Sequence, residues 1–426
     1  MSIDFAILEE KLKLEKHPVG TVVDLFCGAG GLSLGFLTQG FSIVWAADTA
    51  ISAVETYRKN IGNHVEQARL DWGTRLPLCD IIIGGPPCQG FSSAGLRKPS
   101  DARNTLVAVF AHLVAKHRPK AFVFENVEGF LTGEGGRWVT DLLDPLVRAG
   151  YCIHLRKVNA ANYGVPQHRK RVLAIGGLGW DPGFPEPTHR ATGAPGADLV
   201  ARELPWCDSL IKALDDLPPA ANDPETAVMF DHFCRPSNEM DRLRFEALGV
   251  GKTMKDIPEE LWHETYRRRA FRRVMDGTPT ERRGGAPSGL RRLDPHLPSK
   301  AITSGAASEF VHPTLNRNLT LRECARLQTF PDAFEFAGAR AERALLIGNA
   351  VPPRFAAAIA AHVACTYREM PDRSSDPGLK SFVPTNSTGM SPALQKTVDA
   401  VESRYRAIAQ AQQLSLFADP KPAQFG

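Results

Sequence analysis

The chain has 426 residues, 43% hydrophobic and 23% charged, and its 51 Lys+Arg against 47 Asp+Glu give a net charge of +4. A chain of this size and apolar content buries a real core, which excludes a disordered protein and a disulfide-stapled mini-protein. The eight cysteines form no CxxC pair or zinc-ligand spacing, and the longest nearly apolar stretch, 355–365, is far shorter than the ~20 residues of a membrane span, so we expect a metal-free cytoplasmic protein.

Short apolar runs alternate with helix-like stretches over the first 180 residues. Strands are predicted at 21–25, 43–47, 81–83 and 121–124, each bounded by Gly, Pro or Asp. Helices are predicted between them at 32–39, 50–60, 104–117 and 138–149. Strands that alternate with helices predict a parallel sheet with helices on both faces.

The middle of the chain, roughly 181–310, loses this alternation and is polarised in charge. Residues 202–264 are acidic, whereas 266–300 carry many arginines among Gly and Pro. A solvated helix face explains such a charge run about as well as a binding surface does. Arginine in flexible loops also suits phosphate contacts and base-edge hydrogen bonds, so an anionic polymer is an expected partner.

Helical periodicity returns near the C-terminal end of the chain. Helices are predicted at 319–328 and 354–365. A Ser/Pro-rich composition after Pro371 predicts a linker, and one further helix is predicted at 393–412.

The segment DLFCGAGG, which begins at Asp24, joins the first predicted strand to a helix. Its Gly28 and Gly30 let a ligand approach the backbone and leave the helix N-terminus open. Asp48 ends the next predicted strand, where a Rossmann-like site places its ribose-binding carboxylate. Taken alone, the pattern is equally compatible with a tight turn or with a dinucleotide.

The segment IIIGGPPCQG runs from a buried strand into a loop that contains Pro86 and Cys88. A single cysteine is most often a small buried hydrophobe. This one follows two prolines at the carboxyl edge of the predicted sheet, where open α/β folds bind their ligands. A cysteine placed there, near arginine, is suited to act as a nucleophile.

Charged residues also mark two later strand ends. Glu125 follows an apolar strand, where a carboxylate costs free energy unless it serves as a proton donor with a raised pKa. Gln167, Arg169 and Arg171 alternate along a predicted strand, so a period of two puts them on one face. Surface charges on an edge strand are the alternative interpretation of this trio.

Six blocks in this order resemble the DNA (cytosine-5) methyltransferases of bacterial modification systems, over residues 22–362. The blocks are DLFCGAGG, GGPPCQGFS, ENV, the Gln-x-Arg-x-Arg motif, TLRECARLQTFPD and GNAVPP. The resemblance implies an α/β, Rossmann-like, S-adenosylmethionine-dependent methyltransferase domain with a smaller, irregular target-recognition domain. It places the catalytic domain at 1–180, completed by 335–370, the recognition domain with its return segment at 181–334, and a linker and tail at 371–426. One departure is Ala50, where the family often has a second acid, so that Asp48 is left alone as the ribose contact.

The resemblance also implies the role of each site residue. Cys88 would add to C6 of a flipped cytosine, Glu125 would protonate N3, and a closing loop and two arginines would hold the base and its phosphate. The residues implied to act on the base are Cys88, Glu125, Arg169, Arg171, Gln89 and Ser92. Those implied to bind S-adenosylmethionine are Phe26, Gly28, Gly30, Asp48, Asp71, Pro86, Asn349 and Val351. No metal is required.

Duplex DNA is the implied partner of a cytoplasmic, nucleoid-associated monomer that flips its target base. The resemblance implies the modification enzyme of a restriction–modification system, but whether a cognate restriction enzyme exists is not predictable from the sequence. Specificity is expected between residues 266 and 310, although the target site itself is not predictable. An RNA methyltransferase is disfavoured because the Cys-Phe-Thr motif of the tRNA-acting branch is absent. A catalytically silent DNA-binding regulator would not need Cys88 and Glu125, and a nicotinamide dehydrogenase would not use the later blocks.

The last part of the chain carries a pattern that the chemistry does not need. The residues Gln413, Leu414, Leu416 and Phe417 resemble the short peptide with which bacterial replication and repair proteins bind the sliding clamp. Leu and Phe anchors of this kind fit an apolar groove on a partner. They are equally suited to folding back onto the catalytic domain, so both interpretations stay open.

Overall fold

The computed structural model describes residues 18–87, 105–193, 203–234, 236–267, 289–370, 375–385 and 390–416, without the side chains of 406–416. The strands within these ranges are β1 (Thr21–Leu25), β2 (Ser42–Asp48), β3 (Val65–Gln67), β4 (Ile81–Gly84), β5 (Ala121–Val127), β6 (Tyr151–Asn159), β7 (Gln167–His168), β8 (Lys170–Leu178), β9 (Arg291–Arg292), β10 (Ser299–Lys300), β11 (Phe310–Val311) and β12 (Gly378–Val383). The α-helices are α1 (Gly31–Leu37), α2 (Ile51–Asn60), α3 (Thr105–His117), α4 (Arg137–Arg148), α5 (Leu210–Leu214), α6 (Glu239–Ala247), α7 (Ala306–Glu309), α8 (Leu321–Leu327), α9 (Arg340–Asn349), α10 (Pro353–Arg368) and α11 (Pro392–Leu416).

The central sheet has eight strands in the order β12-β6-β8-β5-β4-β1-β2-β3. Strand β8 is antiparallel to both of its neighbours, β5 and β6, whereas the other pairings in this sheet are parallel. The Rossmann-like α/β class is therefore confirmed, but the prediction of a wholly parallel sheet is wrong at β8. The strand order reverses between β1 and β4, and ligands of open α/β sheets bind at such a switch point.

Helices cover both faces of the sheet, which explains why β1, β4 and β5 are buried along nearly their whole length. On one face α1 packs against α10 at very short range, because a Cβ added to Gly35 would lie 2.4 Å from the Cβ of Ala356. On the other face α3, α4 and α11 share a single apolar core with β5 and β6. The helices predicted from periodicity are present, with ends within about three residues of the predictions.

The C-terminal segment is more than the predicted linker and tail. Strand β12 adds to the edge of the sheet beside β6, and the apolar side chains of α11 at Leu394, Val401 and Tyr405 are buried in the catalytic core. The prediction for 371–426 is therefore wrong for residues 378–383 and for the first half of α11. The Ser/Pro-rich composition around this segment favoured a linker and gave no indication of the six-residue strand β12. The other domain boundaries stay a prediction.

The region between β8 and α8 has only short elements and a small core of its own. Its centre is the buried guanidinium of Arg292, which donates to the backbone carbonyls of Leu248 at 2.7 Å, Phe245 at 2.6 Å and His312 at 2.9 Å. This arginine of the basic segment therefore stabilises the fold. Residues 268–288, which hold most of the predicted arginine-rich loops, lie outside the described residues.

Residues Arg340–Arg368 together are long and apolar enough to cross a membrane. They form two helices, α9 and α10, on either side of Ala350–Pro352, and the apolar side of α10 faces the sheet. Their hydropathy is therefore that of core helices.

Candidate active site

Several of the predicted site residues that the structure describes lie at one edge of the sheet. Parallel strands β1, β2, β4 and β5 all end at this edge, and antiparallel β8 begins there. The loop after β1, the end of β2, the segment after β4 and the end of β5 are thereby brought together, although they are far apart in the sequence.

The loop after β1 turns sharply before it enters α1. Phe26, Gly28 and Gly30 all have positive φ angles, of 61°, 54° and 83°. Gly30 has no room for a side chain, since an added Cβ would lie 2.2 Å from Cδ1 of Ile61. By contrast, a Cβ on Gly28 would meet no atom within 4 Å, so this part of the loop borders open space. The loop is therefore packed against the protein at Gly30 and leaves space for a ligand at Gly28, and we call it the glycine loop or cofactor cradle.

Asp48 fixes this loop from the end of β2. One carboxylate oxygen accepts a hydrogen bond from the backbone N–H of Gly28 at 2.9 Å, and the other accepts from the N–H of Ala50 at 2.9 Å. The predicted proximity of Asp48 to the glycine loop is thus observed. Asp71 is exposed and closes its own turn, where hydrogen bonds from the Thr74 hydroxyl and the Gly73 N–H lower the pKa of its carboxyl. Beside it lies the half-exposed indole of Trp72, a candidate contact for the cofactor that the sequence did not indicate.

A buried polar chain lies beneath the glycine loop and was also missed. Asp24 is fully buried and accepts a hydrogen bond from the Ser33 hydroxyl at 2.7 Å, and Ser33 accepts one from the Tyr57 hydroxyl at 2.8 Å. Among the residues that the structure describes, none forms a hydrogen bond with the second oxygen of Asp24, and burial raises the pKa of this carboxyl to about 7. The signal was present in the sequence, since a charged residue stands inside an otherwise apolar strand.

The carboxylate of Glu125 lies 2.7 Å from Nε of Arg171, and both side chains are nearly buried. The adjacent Asn126 donates a hydrogen bond of 3.4 Å to the carbonyl of Pro86, which ties the end of β5 to the segment after β4. Glu125 and Arg171, each predicted to act on the base, thus lie together, and Pro86 lies next to them. Cys88, Gln89 and Ser92 lie outside the described residues, so their predicted roles stay predictions.

Arg169, which was predicted to contact the target base or its phosphate, is instead buried against backbone carbonyls. Its guanidinium is only 1% exposed and donates to the carbonyls of Ile302 at 2.7 Å, Gly348 at 2.8 Å and Ala350 at 2.8 Å. Gln167 accepts a hydrogen bond from the N–H of the same Ile302 at 2.9 Å. Since these donors are engaged by the backbone, the geometry favours a positioning role for Arg169 over the predicted contact with a base.

Arg169 thereby fixes the loop that holds two predicted cofactor residues. Asn349 is exposed at the end of α9, and Val351 is buried just after it. The Val351 carbonyl lies against the start of α1, since a Cβ added to Gly31 would be 2.1 Å from its oxygen. The structure therefore brings Val351 to the start of α1, and the predicted cofactor contacts of Asn349 and Val351 stay predictions.

The predicted clamp-binding residues are only partly described. Gln413, Leu414 and Leu416 belong to the last turns of α11, whose side chains are not described, and Phe417 lies beyond the described residues. The clamp interaction therefore stays a prediction. Among the described residues, no group of three or more His, Cys, Asp or Glu is arranged to hold a metal ion.

Comparison with known proteins gives consistent matches over most of the chain. The family model for C-5 cytosine-specific DNA methylase matches residues 20–365. Type II methyltransferase M.AgeI of Thalassovita gelatinovora is 31% identical over 420 residues, covering 79% of this chain and 97% of its own. Type II methyltransferase M.NgoFVII of Neisseria gonorrhoeae is 34% identical over 343 residues, covering 78% and 83%.

Solved structures show the same fold. A protein described as a DNA modification methyltransferase of an E. coli prophage superposes with a TM-score of 0.60 at 24% identity, covering 80% of this chain and 98% of its own. The S. pombe Dnmt2 methyltransferase gives a TM-score of 0.51 at 15% identity, covering 82% and 98%. At such identities these likenesses concern the architecture alone.

Proposed function

Because this chain belongs to the C-5 cytosine-specific DNA methylase family and is a DNA (cytosine-5) methyltransferase, we propose that it methylates a flipped cytosine through a covalent Cys88–C6 adduct, with S-adenosylmethionine as methyl donor. The observation that supports the chemistry best is the nearly buried Glu125–Arg171 pair, held beside Pro86 at the switch-point edge of the sheet. A carboxyl and a guanidinium at this place suit recognition of a cytosine, which presents an acceptor N3, an acceptor O2 and a donor amine.

The glycine loop suits S-adenosylmethionine because a ligand can approach Gly28 without meeting a side chain. Asp48 would accept from the ribose hydroxyls while it holds the Gly28 N–H, and Asn349 and Val351 would border the other side. When bound, this cofactor supplies an electrophilic methyl group on a sulfonium sulfur. The chain's own contribution there is to bind, orient and exclude water.

On the base side, cytosine C5 is too electron-poor to attack a methyl group by itself. Addition of the Cys88 thiolate to C6 makes C5 nucleophilic, while Glu125 donates a hydrogen bond or proton at N3 and Arg171 holds the O2 edge. After methylation a base removes the proton from C5, the C6–sulfur bond breaks, and the thiolate is regenerated. The C6 face is inaccessible inside a duplex, so the base must first be flipped out, at a cost of a few kcal/mol.

Transfer of a tritiated methyl group to duplex DNA tests this proposal, with the labelled nucleoside identified by chromatography. We expect label in 5-methylcytosine, no transfer by Cys88→Ala, and retained DNA binding by that variant, since phosphate contacts supply most of the affinity. Cys365→Ala is the matched control, because this exposed thiol lies on α10 away from the site edge. Label that enters transfer RNA but not DNA, or turnover by Cys88→Ala, contradicts the proposal.

The partners beyond duplex DNA are further proposals. Site selection is assigned to residues 266–310, and a swap of this segment with that of a relative should change which cytosines become methylated. A monomer that accompanies a cognate restriction enzyme is the proposed setting, in line with the Type II methyltransferase relatives. The tail is proposed to bind the sliding clamp on the strength of its sequence pattern alone.

A further inference from the structure

The described C-terminal residues 375–385 and 390–405, called the C-terminal segment below, lie beyond the matched family region 20–365 and are nevertheless built into the catalytic core. Resting on the proposed function, we propose that this segment is a positioning element of the active site. It holds the irregular stretch Glu128–Gly136, which continues directly from β5, and thereby keeps Glu125 and Arg171 in their working geometry.

The contact is made by Thr397, a fully buried residue of α11. Its hydroxyl donates a hydrogen bond of 2.8 Å to the carbonyl of Leu131. Its methyl group lies against Gly136, since a Cβ added there would be 2.8 Å from Cγ2 of Thr397. One side chain therefore touches the irregular stretch at both its middle and its end.

The stretch needs such support because its backbone is unfavourable by itself. Glu134, Gly135 and Gly136 have consecutive positive φ angles of 45°, 66° and 94°. At Gly133 the ring of Trp138 occupies the space of a side chain, since an added Cβ would lie 1.3 Å from a ring atom. A non-glycine residue in left-handed conformation persists only where its surroundings impose it. Trp138 packs against Gly133 and Thr397 against Gly136, so these two side chains support the stretch on either side of Glu134.

Two anchors fix the C-terminal segment to the domain. On α4, Asp144 accepts hydrogen bonds from Arg404 Nε at 2.7 Å and from the Tyr405 hydroxyl at 2.9 Å. Strand β12 pairs with β6, and Lys157 of β6 forms an ion pair with Glu128 at the start of the irregular stretch. Helix and strand thus hold the stretch from two directions.

Only a few residues separate the irregular stretch from Glu125 and Arg171. Val127, the last residue of β5, is paired with Arg171 in the register of β5 and β8, and Glu125 lies two positions earlier. A shift of the irregular stretch therefore moves the end of β5, which carries Glu125 and pairs with Arg171 of β8. Small misplacements of reacting groups cost large factors in rate.

The test compares Thr397→Val, which keeps the volume but loses the hydroxyl, with Thr397→Ser, which keeps the hydroxyl. Lys396→Ala, at an exposed neighbouring position of α11, is the matched control. We expect Thr397→Val to lower kcat about tenfold with little change in the KM for DNA or S-adenosylmethionine. The serine variant and the control should stay near the wild-type kcat. Hydrogen exchange should speed up in the peptide covering 125–136 of the valine variant and stay unchanged in β1 and α1.

Unchanged kcat in Thr397→Val at a temperature where the protein is folded, with only a lowered Tm, overturns the proposal, since α11 would then be a mere stabiliser. Unchanged exchange in 125–136 also overturns it. The exchange measurement does not depend on turnover. An inactive wild-type protein would therefore contradict the proposed function while leaving this inference testable.

Discussion

Glu125 occupies a site bordered by buried aromatic and aliphatic side chains at the end of β5, and its charge partner is Arg171. A glutamine at position 125 keeps the shape and the amide contact but cannot deliver a proton to N3. We therefore expect Glu125→Gln to lower the methyl-transfer rate by about 10²–10⁴-fold, measured under single-turnover conditions. Glu55→Gln, at an exposed position of α2, is the control. A rate within a few-fold of wild type would mean that Glu125 is not the acid.

Asp24 gives a prediction about pH. Burial raises the pKa of this carboxyl to about 7, whereas the unfolded chain titrates near 4. Between these values the folded protein holds a proton that the unfolded chain has lost, so this group's contribution to stability falls as the pH rises from about 4 to about 7. Asp24→Asn removes that dependence, and the variant should gain stability over wild type between pH 5 and pH 8. Urea unfolding of both proteins checks this, and a gap that does not change with pH contradicts it.

At the scale of elements, the sequence predicted those strands whose two faces are both covered. β1, β4 and β5 each contain a run of apolar residues, which is the pattern of a buried parallel strand. β6 was missed because His, Arg and Lys interrupt its apolar residues. A strand was predicted at β8 from the alternation of Gln167, Arg169 and Arg171, but without its direction. The antiparallel direction of β8 depends on its partners β5 and β6, which periodicity along one segment does not reveal.

The sequence motifs identified which residues belong to the candidate site, but they did not identify the hydrogen-bond partners of those residues. The motifs placed Glu125, Arg171, Gly28 and Asp48 at strand ends, and the sheet brings these together. Arg169 follows the same alternation as Arg171, yet its partners are carbonyls contributed by residues more than a hundred positions away. Spacing along one strand does not identify such partners, so both arginines were given similar roles.

Arg169 links the start of β8 to the loop before α10 through its hydrogen bonds, and this leads to a prediction about stability. Arg169→Met leaves the carbonyls of Ile302, Gly348 and Ala350 without this donor in a buried place. At roughly 1–3 kcal/mol for each unsatisfied group, we expect a loss of about 3 kcal/mol or more in the free energy of unfolding, measured in urea. Arg75→Met, at an exposed position, should change it by less than about 0.5 kcal/mol. Equal stability of both variants would refute the positioning role.

At the scale of the whole molecule, the tail pattern lies beyond the core contacts that the structure describes. Among the described side chains of α11, Leu394, Val401 and Tyr405 are buried in the core, and removal of residues 413–426 leaves these three in place. The truncated protein should methylate naked DNA at the wild-type rate and lose binding to purified sliding clamp, measured by surface plasmon resonance. Alanine at 414, 416 and 417 in the full chain should have the same effect. Clamp binding that is equal with and without the tail, or absent in both, would exclude this role.

The contact between Gly31 and the Val351 carbonyl also has a consequence for biosynthesis. The glycine loop leaves the ribosome early, whereas the backbone that closes its other side is translated hundreds of residues later. A nascent chain therefore has the sheet strands β1 to β5 long before it has a complete cofactor cradle. Domains begin to fold during synthesis, and contacts between distant segments form slowly. Prematurely terminated chains are thus expected to lack methyl-transfer activity, because the last segments to be made complete the site.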